Sequence, residues 1–333
     1  MLTRRDYHHR ETRNATENPI LPHDIGAPAL VGKMKSTPKN FRFSLFPMRS
    51  NHPITLYHDS ADAARLRLRA ILRWSWELVA TAVGLLYWGV FGGLLTVIGG
   101  PLHRVLPKRQ GERFGQWLLH HLFRGFVTFL QVTGLARAET SALARLGKSG
   151  QSFIVAPNHL ALWDAVFLIA RLPQAVCVMK QSILRNPVLG GGARLAGYIS
   201  NDGTTRMIRN AATSLADGGQ LLLFPEGTRT RPHARWVNPL KGGCAIVAAR
   251  ARVPVHPVFI RSNSRFLEKG WPFWKRPVFP ILIRIEVGEP LMPAPGESAQ
   301  AFTRRLEVVF EHELSKPDPL RRQIEVTGQQ SES

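Results

Sequence analysis

The chain has 333 residues, of which 44% are apolar, and this length allows one large domain with appendages or two small domains. Its 44 lysines and arginines outnumber the 23 aspartates and glutamates, so that the formal net charge is +21. Such an excess predicts a polyanionic partner, meaning a nucleic acid, an anionic lipid surface or an acidic carrier. The two cysteines, Cys177 and Cys244, lie in apolar segments, which argues against a disulfide or a cysteine nucleophile, and no His/Cys cluster predicts a metal site.

The N-terminal 60 residues are polar and rich in proline, histidine, asparagine and arginine. They lack the apolar segment of a secretory signal. A segment of this composition cannot bury enough apolar surface to fold by itself. The sequence therefore predicts a disordered basic tail over 1–60.

The next segment predicts a membrane anchor. Residues 78–102 carry no charge, and a helix of about 25 residues is long enough to cross a hydrocarbon core of roughly 30 Å. Basic residues flank this stretch on both sides, and both flanks favour the cytoplasmic compartment. Residues 114–130 have their apolar side chains at helical spacing, as in a helix that lies in a membrane interface. We therefore predict a membrane-anchoring helix pair over 61–135, with a single full span as the alternative to a bent or re-entrant path.

From residue 152 onward short apolar runs alternate with helical stretches, which is typical of an α/β domain. The predicted strands cover 152–157, 175–179, 198–200, 220–224, 253–260 and 280–288. The predicted helices cover 163–170, 207–217, 242–250 and 299–313. The expected fold is a mixed, largely parallel sheet flanked by helices over 140–315, followed by a second disordered tail at 316–333.

The motif NHLALWD (158–164) follows the first strand of this domain. A histidine is suited to general-base work when a carboxylate fixes its tautomer, and Asp164 is close enough in sequence to orient His159. The chain has no G-x-S-x-G motif, so a hydroxyl of the substrate would have to be the nucleophile that attacks an activated carbonyl such as a thioester. The alternative is a structural role, with His159 satisfied by hydrogen bonds and Asp164 capping a helix. Asn158 fits either role.

The motif FPEGTRTR (224–231) follows another predicted strand, and ligands of α/β sheets gather at the carboxyl ends of strands. Gly227 fits a tight turn and Thr228 offers a hydroxyl donor. Arg229 and Arg231 offer the planar donors that suit a phosphate. Glu226 could orient an arginine, bind a hydroxyl or form a simple ion pair, and the arginines could equally belong to a solvated loop.

The pattern NH-x4-D, then FPEGTR about 60 residues later, then VPVHPV resembles the glycerophospholipid acyltransferase superfamily. The best-known bacterial members are 1-acylglycerol-3-phosphate (lysophosphatidate) acyltransferases, and the resemblance extends from about 152 to 290. It implies that His159 is the catalytic base and that Asp164 is its charge-relay partner. It implies substrate contacts for a further set of residues: Asn158, Lys180, Glu226, Gly227, Thr228, Arg229 and Arg231. It also implies that Pro257 shapes the acyl-binding region.

The same resemblance implies the substrates and the location. The donor would be acyl-CoA or acyl-acyl carrier protein, the acceptor a lysolipid, and no cofactor or metal would be needed. Membrane lipids would be partners and nucleic acid would not, at the cytoplasmic face of the bacterial inner membrane. Both donors and an anionic bilayer are acidic, which fits the charge of +21.

One stretch departs from the family pattern. In GYISNDGTTR, Asn201 and Asp202 stand where the second motif of the family has an arginine, and Arg206 follows later. An acidic residue there should weaken the binding of a phosphate dianion unless Arg206 compensates. The acceptor could therefore be 1-acylglycerol 3-phosphate or another lysolipid, such as a lyso-ornithine lipid or a specialised-lipid anchor.

Three other functions account for part of the sequence. A nucleic-acid-binding protein would explain the charge, but the basic residues cluster around the membrane-like segments and no nucleic-acid module is recognisable. A non-catalytic, basic membrane protein would not need both His159 and Asp164. A hydrolase would use water as the acceptor, and the arginines of the second motif favour a lipid acceptor instead.

Overall fold

The computed structural model describes residues 60–320 with the exception of 188–189, 273–274 and 276. The tail predicted over 1–60 lies outside the described residues except for Ser60, with which the first helix begins. Residues 321–333 of the second predicted tail also lie outside them. All described residues belong to one compact unit.

The centre of the protein is a seven-stranded sheet in the order β1-β7-β6-β2-β5-β3-β4. The strands are β1 (Ala136–Glu139), β2 (Phe153–Pro157), β3 (Ala175–Met179), β4 (Ile199–Ser200), β5 (Gln220–Leu222), β6 (Val255–Ser262) and β7 (Ile281–Val287). Neighbouring strands are parallel except for the β6–β7 pair, which is antiparallel. The expectation of a mixed, largely parallel sheet is confirmed.

Helices cover both faces of this sheet. The helices are α1 (Ser60–Val105), α2 (Lys108–Val132), α3 (Ser141–Gly147), α4 (Asp164–Ile169), α5 (Gln181–Leu184), α6 (Gly190–Leu195), α7 (Thr204–Ala216), α8 (Gly243–Ala251) and α9 (Ala299–Ser315). One buried cluster joins the sheet to α2, α4 and α6, and a second joins it to α7, α8 and α9. Because both faces are covered, β2 is buried at all five positions and reads as a continuous apolar run.

The two N-terminal helices form an antiparallel pair. The Tyr87 hydroxyl donates to the Leu122 carbonyl at 2.7 Å, and the Trp76 indole N–H donates to the Thr133 carbonyl at 2.9 Å. Helix α1 continues without a break in its helical assignment through its glycines and through Pro101. In the described part of the chain, Ala63–Val105 is the helical segment long and apolar enough to cross a membrane, and 17% of its most apolar window is buried.

Helix α2 turns most of its apolar face towards protein. Leu122 and Phe126 are buried, and the ring of Phe126 lies 5.2 Å from that of Trp88 on α1. Of the apolar residues that predicted an interfacial helix, Phe114 and Trp117 are the large ones that remain exposed. The exposed apolar surface of this helix pair therefore belongs mainly to α1.

Candidate active site

The carboxyl ends of four parallel strands bring the predicted motifs together. His159 follows β2, Phe224 follows β5, Lys180 follows β3 and Asn201 follows β4. These four strands are neighbours in the order β2-β5-β3-β4. Since strands in a sheet are about 4.8 Å apart, Lys180 lies roughly 10 Å from His159, across β5.

The His159 ring is oriented by a buried carboxylate. Its Nδ1 lies 3.0 Å from Asp164 Oδ2, and the same oxygen accepts the Ala161 N–H at 2.8 Å. Asp164 is the first residue of α4 and is 4% exposed. A carboxylate can only accept, so Nδ1 carries the hydrogen in this pair and Nε2 is left to take a proton.

An aromatic side chain from the second motif, Phe224, packs against the His159 ring. The rings of His159 and Phe224 stack with centroids 4.0 Å apart and an interplanar angle of 26°. The His159 side chain is 17% exposed, so solvent can reach part of the ring at the carboxyl edge of the sheet. Phe224 was not among the residues predicted from sequence, although it opens the FPEGTRTR motif.

Glu226 connects the two motifs through hydrogen bonds. It is 2% exposed and its carboxylate accepts the His159 backbone N–H at 2.9 Å and the Thr230 hydroxyl at 2.7 Å. It also accepts both the backbone N–H and the side-chain amide of Asn238, at 2.7 and 2.6 Å. Burial raises the pKa of Glu226, and the bonds from Asn238, Thr230 and His159 oppose that rise. Its predicted contact with substrate remains a prediction, because the observed contacts are all within the protein.

Two further predicted residues make structural hydrogen bonds. Asn158 donates its side-chain amide to the Ile260 carbonyl at 3.0 Å and accepts the Ile260 N–H at 2.7 Å, so it joins the end of β2 to β6. Arg229 donates one guanidinium nitrogen to the carbonyls of Leu267 and Glu268 at 2.8 and 3.0 Å. These bonds fix the loops around the site.

The turn of the second motif contains Gly227 at φ +66°, a value that favours glycine. A Cβ at this position would lie 2.8 Å from Lys241 Nζ, so the lysine side chain runs over the turn. Lys241 was missed by the sequence analysis. The available signal was a basic residue immediately before Gly242 and the start of a predicted helix.

The remaining predicted residues lie at different distances from this centre. Lys180, Arg206 and Arg231 are exposed, and Thr228 is half-buried. Pro257 is buried inside β6, where it pairs in register with Ala156 of β2. Their roles towards a substrate remain predictions.

A cavity of about 410 Å³ opens on the β6 side of the site. It reaches Asp164 and is lined by apolar side chains such as Trp163 and Phe266 and by cations that include Arg231. The cavity therefore lies next to the His159–Asp164 pair, on the side away from Lys180. No group of three or more potential metal ligands occurs among the described residues.

Comparison with known proteins places this geometry in a family context. Residues 130–261 match the model of the Acyltransferase family. The chain is 30% identical to 1-acyl-sn-glycerol-3-phosphate acyltransferase alpha of Mus musculus over 126 residues, which are 36% of this chain and 44% of the mouse protein. It is 23% identical to 1-acyl-sn-glycerol-3-phosphate acyltransferase of Saccharomyces cerevisiae over 219 residues, 63% of this chain and 65% of the yeast protein. The chain thus matches less than half of the mouse protein and less than two thirds of the yeast protein.

The fold also has a solved counterpart. The crystal structure of the 1-acyl-sn-glycerophosphate acyltransferase PlsC from Thermotoga maritima superimposes with a TM-score of 0.54 at 18% identity, over 75% of this chain and 99% of that chain. The resemblance to the glycerophospholipid acyltransferase superfamily that the motifs indicated is confirmed.

Proposed function

We propose that this chain, with its acyltransferase domain of the glycerophospholipid acyltransferase superfamily, transfers a fatty acyl group from a thioester to the hydroxyl of a lysolipid. The observation that carries the proposal is the 3.0 Å contact between His159 Nδ1 and the buried Asp164, which leaves Nε2 available to a substrate hydroxyl. The donor is acyl-CoA or acyl-acyl carrier protein, and no cofactor or metal takes part.

The proposed reaction needs one base and one acid, and His159 acts as both. The hydroxyl oxygen of the acceptor attacks the thioester carbonyl carbon while its proton passes to His159 Nε2. Asp164 stabilises the imidazolium that forms. When the tetrahedral intermediate collapses, the C–S bond breaks, and the thiolate leaves with the proton that His159 returns.

The proposed acceptor is 1-acylglycerol 3-phosphate, and the product is phosphatidate. The names of the mouse and yeast relatives support this acceptor. Exposed Asp202 stands in place of the arginine of the family's second motif, so other lysolipids are the alternative acceptors. Arg206, on the adjacent helix, is the cation that would compensate for the missing arginine.

The anchor would immerse α1 along one leaflet, at the cytoplasmic face of a bacterial inner membrane. Large apolar side chains such as Leu85 and Leu86 are 70% and 64% exposed on α1, which supports immersion in lipid. A full span is disfavoured because α1 packs lengthwise on α2, and a span would carry His120 and Arg124 of α2 into the hydrocarbon core. Membrane lipids, the lysolipid and the acyl donor are then the proposed partners, and nucleic acid is not.

A transfer assay tests this function. The full chain in vesicles would receive radiolabelled acyl-CoA or acyl-acyl carrier protein and a panel of lysolipids with and without a phosphate. We expect label in phosphatidate. Label in a phosphate-free product alone would keep the reaction and change the acceptor, whereas transfer to no acceptor would contradict the proposed function.

A further inference from the structure

A cation that the sequence motifs do not include lies over the Gly227 turn of the second motif. We propose that Lys241 binds the phosphate of the acceptor and thereby determines specificity for phosphate-bearing lysolipids. This inference rests on the proposed function and names the residue that recognises its substrate. In the second motif, Glu226 is buried and Arg229 is hydrogen-bonded within the protein, while Arg231 is exposed.

Glu226 and Arg229 are occupied by internal hydrogen bonds. The Glu226 carboxylate is 2% exposed and accepts bonds from His159, Thr230 and Asn238. Arg229 donates to two carbonyls of the neighbouring loop. Arg229 thus commits one guanidinium nitrogen to the protein, and a further exposed cation beside the Gly227 turn would add to the positive charge offered to a phosphate there.

Lys241 supplies a charge at that turn. Its Nζ lies 2.8 Å from the Cβ position of Gly227, with Cε and Cδ at 3.0 and 3.1 Å, so the extended side chain follows the turn. Its ammonium forms no ion pair with any residue in the described part of the chain. The Glu226 carboxylate is not its partner either, since the hydrogen bonds of that carboxylate come from His159, Thr230 and Asn238.

The backbone around Lys241 is hydrogen-bonded on both sides, which fixes the point from which the side chain extends. The Lys241 N–H donates to the Pro225 carbonyl at 2.8 Å. The preceding Leu240 N–H donates to Glu307 of α9 at 2.9 Å, and Asn238 is bound to Glu226. Binding of an anion then needs no further ordering of the backbone, and the cost in conformational freedom is that of the side chain alone.

Two helix N-termini adjoin this lysine. Helix α8 begins at Gly243, two residues after Lys241, and a Cβ at Gly243 would lie 3.2 Å from the Met207 side chain in the first turns of α7. The 9-residue α8 and the 13-residue α7 thus start next to each other and point their positive ends at the same edge. Arg206, the residue before Met207, adds a second exposed cation, and exposed Asp202 is the acidic residue that opposes them.

Lys241 therefore provides the positive charge that the motif GYISNDGTTR lacks at Asn201 and Asp202. The ligand class is a phosphate monoester on a short polyol, the headgroup of a lysophosphatidate. A phosphate-free lysolipid would leave the ammonium without a partner and would gain nothing from it.

The test uses the full chain in detergent micelles, with glycerol 3-phosphate and glycerol as probes. Lys241→Gln removes the charge at nearly constant length, and Lys241→Arg keeps it. Lys148→Gln makes the same chemical change on an exposed lysine that precedes β2, at the opposite edge of the sheet. Titration calorimetry gives the Kd of each probe, and thermal unfolding shows whether each variant is folded.

We expect the Kd of glycerol 3-phosphate to rise about 10- to 100-fold in Lys241→Gln, to recover in part in Lys241→Arg and to stay unchanged in Lys148→Gln. The KM for lysophosphatidate should rise by a similar factor, while the KM for the acyl donor stays constant. A wild type that does not bind glycerol 3-phosphate, or an equal Kd in Lys241→Gln, overturns the inference. If the wild type binds this probe through Lys241 but transfers no acyl group, the proposed function fails and the phosphate site stands.

Discussion

Asp164 Oδ2 lies 3.0 Å from His159 Nδ1 and 2.8 Å from the Ala161 backbone nitrogen, so one buried carboxylate oxygen fixes both the ring and the loop before it. The loop of NHLALWD is short enough that Asp164, the first residue of α4, reaches back to His159 and Ala161 just after β2. The carboxylate thereby selects the tautomer with a hydrogen on Nδ1 and stabilises the charged ring after proton transfer.

Replacing Asp164 with asparagine should remove both effects. The amide can present an N–H to His159 Nδ1 and favour the wrong tautomer, so we expect kcat/KM for acyl transfer to fall about 100-fold or more. The matched control is Asp217→Asn, an exposed aspartate that pairs with Arg109 away from the site. Steady-state transfer kinetics measure the effect, and full activity in Asp164→Asn would show that the pair does not act in the reaction.

Gly227→Ala should impair acceptor binding more than its backbone cost explains. Both Gly227 and Gly218 have positive φ, at +66° and +92°, and alanine at either position costs roughly 1–2 kcal/mol of stability. At Gly227 the new methyl would also meet Lys241, whereas nothing lies within 4 Å of the Cβ position of Gly218. We expect similar losses of stability in Gly227→Ala and Gly218→Ala, with a raised KM for the lysolipid in Gly227→Ala alone. An unchanged KM in Gly227→Ala would mean that the turn tolerates the displaced lysine.

Acid should loosen the contact between α2 and α4 through His120. Its Nδ1 lies 2.9 Å from the Ile169 carbonyl, and burial lowers its pKa below 6.5, with His121, Arg124 and Arg171 lowering it further against the opposing effect of the backbone bond. The folded chain then binds this proton more weakly than the unfolded chain does. The contribution of His120 to the free energy of unfolding is therefore fully present above pH 6.5 and is lost as the pH falls through 6.5 towards the folded pKa.

Urea unfolding in detergent at about pH 7.5 and about pH 5.5 measures this contribution. We expect a smaller difference between the two pH values in His120→Gln than in the wild type. The remaining dependence includes His256, whose pKa burial also lowers. An exposed-histidine control, His233→Gln in the loop after the second motif, should keep the wild-type difference. An unchanged difference in His120→Gln would exclude the role given to His120.

Membrane binding should depend on the exposed apolar face of α1. Leu85→Lys combined with Leu86→Lys removes two side chains whose burial in lipid is worth about 1.5–3 kcal/mol each. We expect the partition coefficient onto vesicles of phosphatidylethanolamine and phosphatidylglycerol to fall at least about 100-fold. Val308→Lys, at a 51% exposed position on α9, serves as the control in the same sedimentation assay. Equal partitioning of the double variant would place the membrane contact elsewhere.

The sequence predicted the strands of the domain well because parallel strands covered on both faces are uninterrupted apolar runs. The run AVCVM coincides with β3 (Ala175–Met179). It did not predict β1 (Ala136–Glu139), because ARAE is short and charged and becomes a strand only through its pairing with β7. Helix α6 was also missed, since three glycines at 190–192 have low helix propensity. Close packing explains them, because a Cβ at Gly191 would lie 2.3 Å from Thr96 Cα on α1.

In the candidate site too, contacts between residues close in sequence could be predicted, whereas contacts between distant residues could not. His159 and Asp164 are five residues apart, so their contact follows from a strand–loop–helix pattern. Asn158 bonds to Ile260, which is far away in sequence, and Glu226 bonds to Asn238 in an irregular loop. The sequence pattern shows neither contact, so residue type alone did not separate structural from substrate-binding roles. Lys241 lies outside both motifs and is placed over Gly227 by the start of α8.

The most direct test of the account is acyl transfer to lysophosphatidate by His159→Gln in vesicles. His121→Gln, which changes an exposed histidine of α2, is the matched control. General-base catalysis predicts that kcat falls about 100- to 10,000-fold in His159→Gln, that His121→Gln keeps the wild-type rate and that both variants unfold at the wild-type temperature. Folded His159→Gln that transfers acyl groups at the wild-type rate would contradict the assignment of His159 as the base.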